Sequence, residues 1–257
     1  MQPVELNGVS VLITRPTGQG KKLCSEIEGY GGDVVRLPLI EIEELSDVFE
    51  NMPDTSDSYN CVIFISPNSV KFGLKYAQNW LDSSKQQVVA IGRATAAALN
   101  QQGINDVVIP LGTENSEELL ESPTLANIER MRILIVRGEG GRELLADTLR
   151  QRGALVSYLE VYRRHYPTDD PHATLAKWWR AESSVCVLTS VGATEAFLNR
   201  CRAEDQQRVL CCPVVVLSPR MQEFCREIGW QATIKVCSPA DDNRLLYCIN
   251  GLVKTNA

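Results

Sequence analysis

Six short stretches of the chain gather hydroxyls, guanidiniums and glycines of the kind that hold anions. They are Thr14-Arg15-Pro16, Ser66-Pro67-Asn68-Ser69, Gly92-Arg93-Ala94-Thr95, Arg137-Gly138-Glu139-Gly140-Gly141 (with Arg142 just beyond), Thr189-Ser190-Val191-Gly192 and Ser218-Pro219-Arg220. Four of them carry an arginine, whose planar fork matches a carboxylate or phosphate, and glycines leave backbone N–H groups open to a ligand. Each stretch follows an apolar run and precedes a helical pattern. In open parallel sheets that is the place where ligands bind, beyond the carboxyl ends of strands and against helix N-termini. The same residue types also make good turns and helix caps, so one such turn says little. Six of them point to a surface that holds carboxylates or phosphates.

What the chain lacks narrows the ligand. "GQGKKL" after residues 11–14 has half of a dinucleotide fingerprint without its third glycine, and no G-x-x-x-x-G-K-[ST] stretch occurs. The two histidines, His165 and His172, give no Ser–His–Asp candidate. Nine cysteines contain no C-x-x-C pair, so they are expected to be buried small hydrophobes with a few surface thiols. Asp241-Asp242, just ahead of "NRLLYCI", reads as a helix cap, and no metal is expected. Trp178-Trp179 and Trp230 are expected in packing.

Behind these turns lies an internal duplication. With Val11 set over Ile133, an offset of 122, Leu12 meets Leu134, Arg15 meets Arg137, Gly18 meets Gly140 and Gly31 meets Gly153. At an offset of 124, "CVIFISPNSVKFGL" (61–74) lies over "CVLTSVGATEAFL" (186–198) with Ser66 on Ser190. At 126, "VVAIGRATAAALNQQGI" (88–104) lies over "VVVLSPRMQEFCREIGW" (214–230), and Asn115 and Ser116 fall on Asp241 and Asp242. Every block has a non-alternating run of Val, Ile and Leu, as in a strand buried on both faces, then a turn, then a helix. Leu144, Leu145, Thr148 and Leu149 share one predicted helix face, and Val70, Gly73, Leu74, Ala77 and Leu81 another. The pattern implies an α/β fold of two small doubly wound parallel-sheet domains. Pattern alone places the cut between them near residue 125. The segments 34–45 and 156–167 also correspond, and each runs on as extended chain beyond what one strand needs.

The 257 residues, 44% hydrophobic and 23% charged, fit one large or two ordinary packed domains. The net charge of −6 argues against nucleic acid as a partner, so any anion must be held by locally concentrated groups. No apolar stretch is long enough to span a bilayer. The start lacks a basic segment followed by an apolar core, so no membrane and a cytoplasmic location are expected.

The set "VLITRP", "FISPNSV", "AIGRATAAAL", "RGEGGREL", "LEVYRR" and "VLTS", in this order, resembles the uroporphyrinogen-III synthases across essentially the whole chain. The resemblance implies two α/β domains, 1–36 plus 168–257 and 46–157, joined by a two-stranded antiparallel connector of 37–45 and 158–167, with the active site in the cleft. It implies cyclisation of the linear tetrapyrrole hydroxymethylbilane to uroporphyrinogen III, with loss of water and inversion of ring D and with no cofactor or metal. Unaided, the bilane closes without inversion, so catalysis is largely positioning. The tyrosine of the family's "VY" motif, its favoured general acid, corresponds to Tyr162. By position Thr14, Arg15, Ser66, Asn68, Ser69, Arg93, Thr95, Arg137, Gly138, Thr189, Ser190 and Ser218 line the substrate site, with much of the binding expected through backbone amides. "SPRMQ" at 218–222 departs from the glycine and threonines that many members carry there, which reduces its hydroxyls to Ser218. The implied partners are the small-molecule tetrapyrrole and, transiently, the preceding pathway enzyme, with the chain a monomer. A non-catalytic anion-binding or sensor protein on the same scaffold is the alternative. A nucleotide-dependent transferase is disfavoured by the missing phosphate loop.

Overall fold

The apolar runs become strands whose successive side chains enter cores on opposite faces of a sheet. The computed structural model describes residues 3–48, 52–53, 58–81, 86–110, 115–141, 143–239 and 241–255. The first part of the chain forms β1 (Val9–Ile13), α1 (Lys21–Gly29), β2 (Asp33–Arg36), β3 (Glu41–Glu44), β4 (Cys61–Phe64), α2 (Pro67–Ala77) and β5 (Gln87–Ala90). There follow α3 (Arg93–Asn100), β6 (Val107–Val108), α4 (Ser116–Leu120), β7 (Arg132–Gly138), α5 (Leu144–Gln151) and β8 (Leu155–His165). The last part holds α6 (His172–Trp178), β9 (Ser183–Leu188), α7 (Val191–Arg200), α8 (Ala203–Leu210), β10 (Val214–Val216), α9 (Pro219–Glu227), β11 (Ile234–Val236) and α10 (Asp242–Thr255).

The chain divides into two units, Met1–Glu41 with His165–Ala257, and Ile42–Arg164. It passes from one to the other between residues 41 and 42 and between 164 and 165, inside β3 and β8. The cut that pattern alone puts near residue 125 falls inside the second unit. The reason is a strand exchange: the opening β1–α1–β2 completes the sheet of β9–β11 rather than that of the strands that follow it.

The first unit has sheet order β11-β10-β9-β1-β2, and the second has β3-β8-β7-β4-β5-β6. Read outward, β6-β5-β4-β7-β8 repeats β11-β10-β9-β1-β2 strand for strand, which is the duplication seen in three dimensions. The core pairings are parallel throughout, for example Val11 with Val185 and Val62 with Leu134. Leu45 N–H donates to the Val161 C=O at 3.1 Å, while Glu41 lies at His165, so β3 runs antiparallel to β8.

Both faces of each sheet are covered, which accounts for strands without alternation. In β4, Cys61 and Ile63 enter one core with Leu145 and Leu149 of α5, while Val62 and Phe64 enter another with Val70 and Leu74 of α2. In β1, Val11 and Ile13 face Leu23 of α1 and Ile249 of α10, and Leu12 faces Trp178 and Phe197. The expected face of α2 is buried as drawn at Val70, Gly73, Leu74 and Ala77. On α5 it is turned: Leu144 is exposed and Leu145, Ala146 and Leu149 pack. Six of the nine cysteines are buried, and burial pushes the Cys61 thiol up to about 12. Among the described residues no helix is long and apolar enough to cross a membrane.

Helix α2 approaches β7 closely through Gly73, where an added Cβ would lie 2.5 Å from Val136 Cγ1 and 3.1 Å from Val161 Cγ2. Both neighbours are stiff, branched side chains. Gly73→Ala is therefore expected to destabilise the protein by about 1–2 kcal/mol, overpacking outweighing the helix propensity of alanine. Urea denaturation measures it, and an unchanged or raised midpoint would contradict the packing described.

Candidate functional site

All six turns lie at the carboxyl ends of parallel strands, three in each unit: after β4, β5 and β7 in the second, and after β1, β9 and β10 in the first. Their side chains, however, face mostly inward. Ser66, Ser190 and Ser218 are the N-caps of α2, α7 and α9, accepting the backbone N–H of Ser69, Ala193 and Met221. Ser66 and Ser69 form a reciprocal capping box, and the buried Ser69 Oγ also donates to the Ser66 C=O at 2.7 Å. Thr14 is buried and donates to the Val187 C=O at 2.6 Å. Thr95 is buried in α3, behind an exposed Arg93. Asn68 and Thr189 are half-buried at the starts of α2 and α7. Arg93 and Arg220 are exposed, and the turns stand at helix N-termini, where the peptide dipoles favour negative charge.

The two arginines that correspond in the duplication are both bound to acids. Arg15 meets Asp242 at 2.6 Å in the first unit. Asp241 caps α10, its carboxylate accepting the Arg244 N–H at 2.8 Å. In the second unit Arg137 is 3% exposed; it pairs with Glu143 at 2.9 Å and Glu160 at 3.6 Å, and donates to the carbonyls of Gly138 and Gly140. Its guanidinium lies 4.5 Å from the centre of the Tyr158 ring. Arg137 thus braces the glycine turn from within, and Arg142 lies outside the described residues.

The second unit has a pocket of about 350 Å³ at these strand ends. Ile91, Ile135 and Leu145 form its apolar part, and the Gly138–Gly141 turn, Tyr158, Tyr162 and Arg164 its polar part. A volume of this order suits a small ligand or one arm of a larger one. Tyr162 reaches it through an irregularity. Along β7 and β8, Arg137 pairs with Glu160 but Gly138 pairs with Tyr162, so β8 carries one extra residue there. Such a bulge re-aims the side chains beyond it. It lays the Tyr162 ring over Gly138, where an added Cβ would come within 2.5 Å of the ring. The Tyr162 side chain is 1% exposed, and its hydroxyl lies 3.1 Å from Ser66 Oγ and 3.2 Å from an Arg164 nitrogen.

Of the predicted residues, Arg137, Gly138 and Tyr162 line the pocket and Ser66 stands behind it against the Tyr162 hydroxyl; Asn68, Ser69, Arg93 and Thr95 are in the same unit but do not line it, and Thr14, Arg15, Thr189, Ser190 and Ser218 belong to the first unit. Sequence reasoning missed Tyr158, Arg164 and Glu143. No single alternation marked the first two, because the bulge between Glu160 and Tyr162 leaves Tyr158 against the core under α5 and puts Tyr162 in the core under α2. Tyr158 donates to Glu143, and burial together with that carboxylate pushes its phenol up. Among the described residues, one group with metal-ligand side chains comes together, His172, Glu204 and Asp205. His172 Nδ1 is 2.7 Å from Asp205 in that group, which belongs to none of the turns.

The protein-family model described as uroporphyrinogen-III synthase HemD matches residues 21–239. The uroporphyrinogen-III synthase of Salmonella typhimurium is 35% identical over 249 residues, 94% of this chain and 100% of the relative. That of Escherichia coli is 34% identical over 254 residues with the same coverage. Among solved structures, the uroporphyrinogen-III synthetase of Helicobacter pylori covers 97% of this chain and 100% of its own, with a TM-score of 0.59 at 14% identity. A mutant uroporphyrinogen III synthase from Thermus thermophilus covers 96% and 99%, with a TM-score of 0.56 at 16% identity. At these identities the two structures speak for the fold.

Tyr158 and then Arg137 hold the Glu143 carboxylate below its usual range, against some burial. A carboxylate depressed in the folded state adds stability above its unfolded pKa and loses it as pH falls through the folded value. Glu143 is half-exposed, so the effect is under about 1 kcal/mol. The stability gap between wild type and Glu143→Gln is expected to be widest at neutral pH and to close below about pH 4.3. Urea melts across that range measure it, and a gap independent of pH would contradict the pairing.

Proposed function

Since the chain belongs to the uroporphyrinogen-III synthase family, we propose that it cyclises hydroxymethylbilane to uroporphyrinogen III, with loss of water and inversion of ring D. The observation that carries the proposal at the level of the site is the Tyr162 hydroxyl on the wall of a pocket edged by a glycine turn. A phenol keeps its proton at neutral pH and can give it to a departing hydroxyl. Tyr162 protonates the ring A hydroxyl, the C–O bond breaks, and water leaves with the bonding pair as the pyrrole electrons form the azafulvene. Ring D attacks through its substituted carbon. The spiro intermediate opens and recloses with the ring turned, and the proton lost on final closure restores the phenol.

Eight substrate carboxylates meet the six turns mainly through backbone N–H groups, because the turn side chains are largely engaged elsewhere. In the second unit the binding set is Ser66, Asn68, Ser69, Arg93, Thr95, Arg137 and Gly138, and in the first Thr14, Arg15, Thr189, Ser190 and Ser218. Arg137 contributes by holding the Gly138–Gly141 amides in place rather than by meeting a carboxylate itself. We take the domains as 1–36 plus 168–257 and 46–157, with β3 and β8 in the linking segments. The enzyme is cytoplasmic and monomeric, needs no cofactor, and meets the preceding pathway enzyme transiently.

Incubation with freshly made hydroxymethylbilane, followed by separation of the product isomers, tests the reading. Type III product is expected, and type I alone would overturn it. Tyr162→Phe is expected to lower kcat by about 10²- to 10⁴-fold while product affinity stays within a few-fold; an unchanged rate removes Tyr162 from the chemistry.

A further inference from the structure

The Tyr162 oxygen has two neighbours that can stabilise it as an anion, Ser66 and Arg164. Arg164 lies two residues along β8, on the same side of the strand, with a guanidinium nitrogen 3.2 Å from that oxygen and its Cζ 5.7 Å from the ring centre. A guanidinium only donates, so this bond occupies one lone pair of the phenol. Ser66 Oγ, at 3.1 Å, already accepts the Ser69 N–H of the capping box, and its own hydrogen is free to occupy the second. At that distance either hydroxyl can be the donor; with Ser66 donating, both lone pairs are taken and the phenol hydrogen is the one left for the pocket. Once that proton is given away, the phenolate keeps two donors, and the positive end of α2, which starts at Ser66, adds to them.

Charge distinguishes Arg164 from its neighbours. Arg137 is neutralised by Glu143 and Glu160, and Arg163 faces Glu43 and Glu139. Arg164 has no carboxylate partner among the described residues, and it donates to the Tyr162 hydroxyl. Arg164 is exposed, so water screens its charge, but no carboxylate among the described residues competes for it and its nearest partner is that oxygen. The ring cannot swing away from it, because Gly138 lies beneath and Phe72 stands 6.0 Å off, centre to centre.

We propose that Arg164 is a positioning residue for the reaction: with Ser66 it orients the Tyr162 hydroxyl so that its proton faces the substrate, and it stabilises the phenolate that remains. The inference rests on the reading of Tyr162 as proton donor. At this step the Tyr162 O–H bond breaks, its proton goes to the leaving hydroxyl, the C–O pair departs with water, and the negative charge stays on the phenolate beside Arg164.

A double-mutant cycle tests it, with kcat and KM measured on hydroxymethylbilane and the thermal midpoint of each variant checked. Arg164→Met is expected to lower kcat by about 10- to 100-fold with KM within about two-fold, a part of what a general acid supplies. In the Tyr162→Phe background the same change is expected to have no further effect, because the two residues act as one unit. Arg164→Lys, which keeps the charge, is expected to restore most of the rate. Three outcomes overturn the proposal: an unchanged kcat, a rise in KM alone (which would make Arg164 an anchor for a substrate carboxylate), or an equal loss in both backgrounds. A Tyr162→Phe variant with the wild-type rate would instead overturn the reading of Tyr162, whatever Arg164 does, so the two failures are distinguishable.

Discussion

Gly138 and Tyr162 face one another across β7 and β8 with no room for a single methyl group between them. The contact exists because β8 gains one residue between its pairings with Arg137 and Gly138. Without that slip, Val161 would face Gly138 and the tyrosine would point to the other side of the sheet, since a shift of one residue inverts every side chain. With it, the phenol is pinned on Gly138 and brought to the cap of α2. The pocket wall, the Ser66 and Arg164 contacts and the placing of the glycine turn all follow from this one irregularity.

An acidic protein that takes a polyanionic substrate has an electrostatic problem, and the duplicated turns show one solution. Arg15 and Arg137 occupy equivalent places, and both are tied to carboxylates. They do not act as free cations. Arg137 braces its glycine turn through the Gly138 and Gly140 carbonyls, and Arg15 ties its turn to the start of α10 through Asp242; in the proposed reading the backbone N–H groups then supply the positive potential. Amides cost no side-chain entropy to hold in place, and they tolerate a substrate whose carboxylate arms move during ring inversion.

The duplication made most of the fold legible. Because "VLITRP" repeats as "ILIVRG" and Ser66 repeats as Ser190, the two sheets have the same strand order, and the turns fall where parallel strands must end. Local pattern could not reveal that β1 belongs with β9, a long-range pairing, and so the cut near residue 125 fails. Leu144 fits a helical face by spacing but lies exposed, since which arc of α5 is covered depends on α4 and β7 rather than on α5 itself. Within the site, the hydroxyls and arginines were legible as residue types but their partners were not. Glu160 reaches Arg137 only through strand pairing. By spacing Tyr158, Tyr162 and Arg164 read as one face of β8, but the bulge, which no local pattern announces, sends Tyr158 and Tyr162 to different cores.

In the proposed site the tetrapyrrole meets the pocket of the second unit beside Tyr162. Ring-labelled tyrosine NMR during titration with uroporphyrinogen III, kept reduced, tests it most directly. The Tyr162 and Tyr158 signals, assigned by single Phe substitutions, are expected to shift saturably with the same affinity that calorimetry gives. Saturable binding that leaves both signals unmoved would contradict the account.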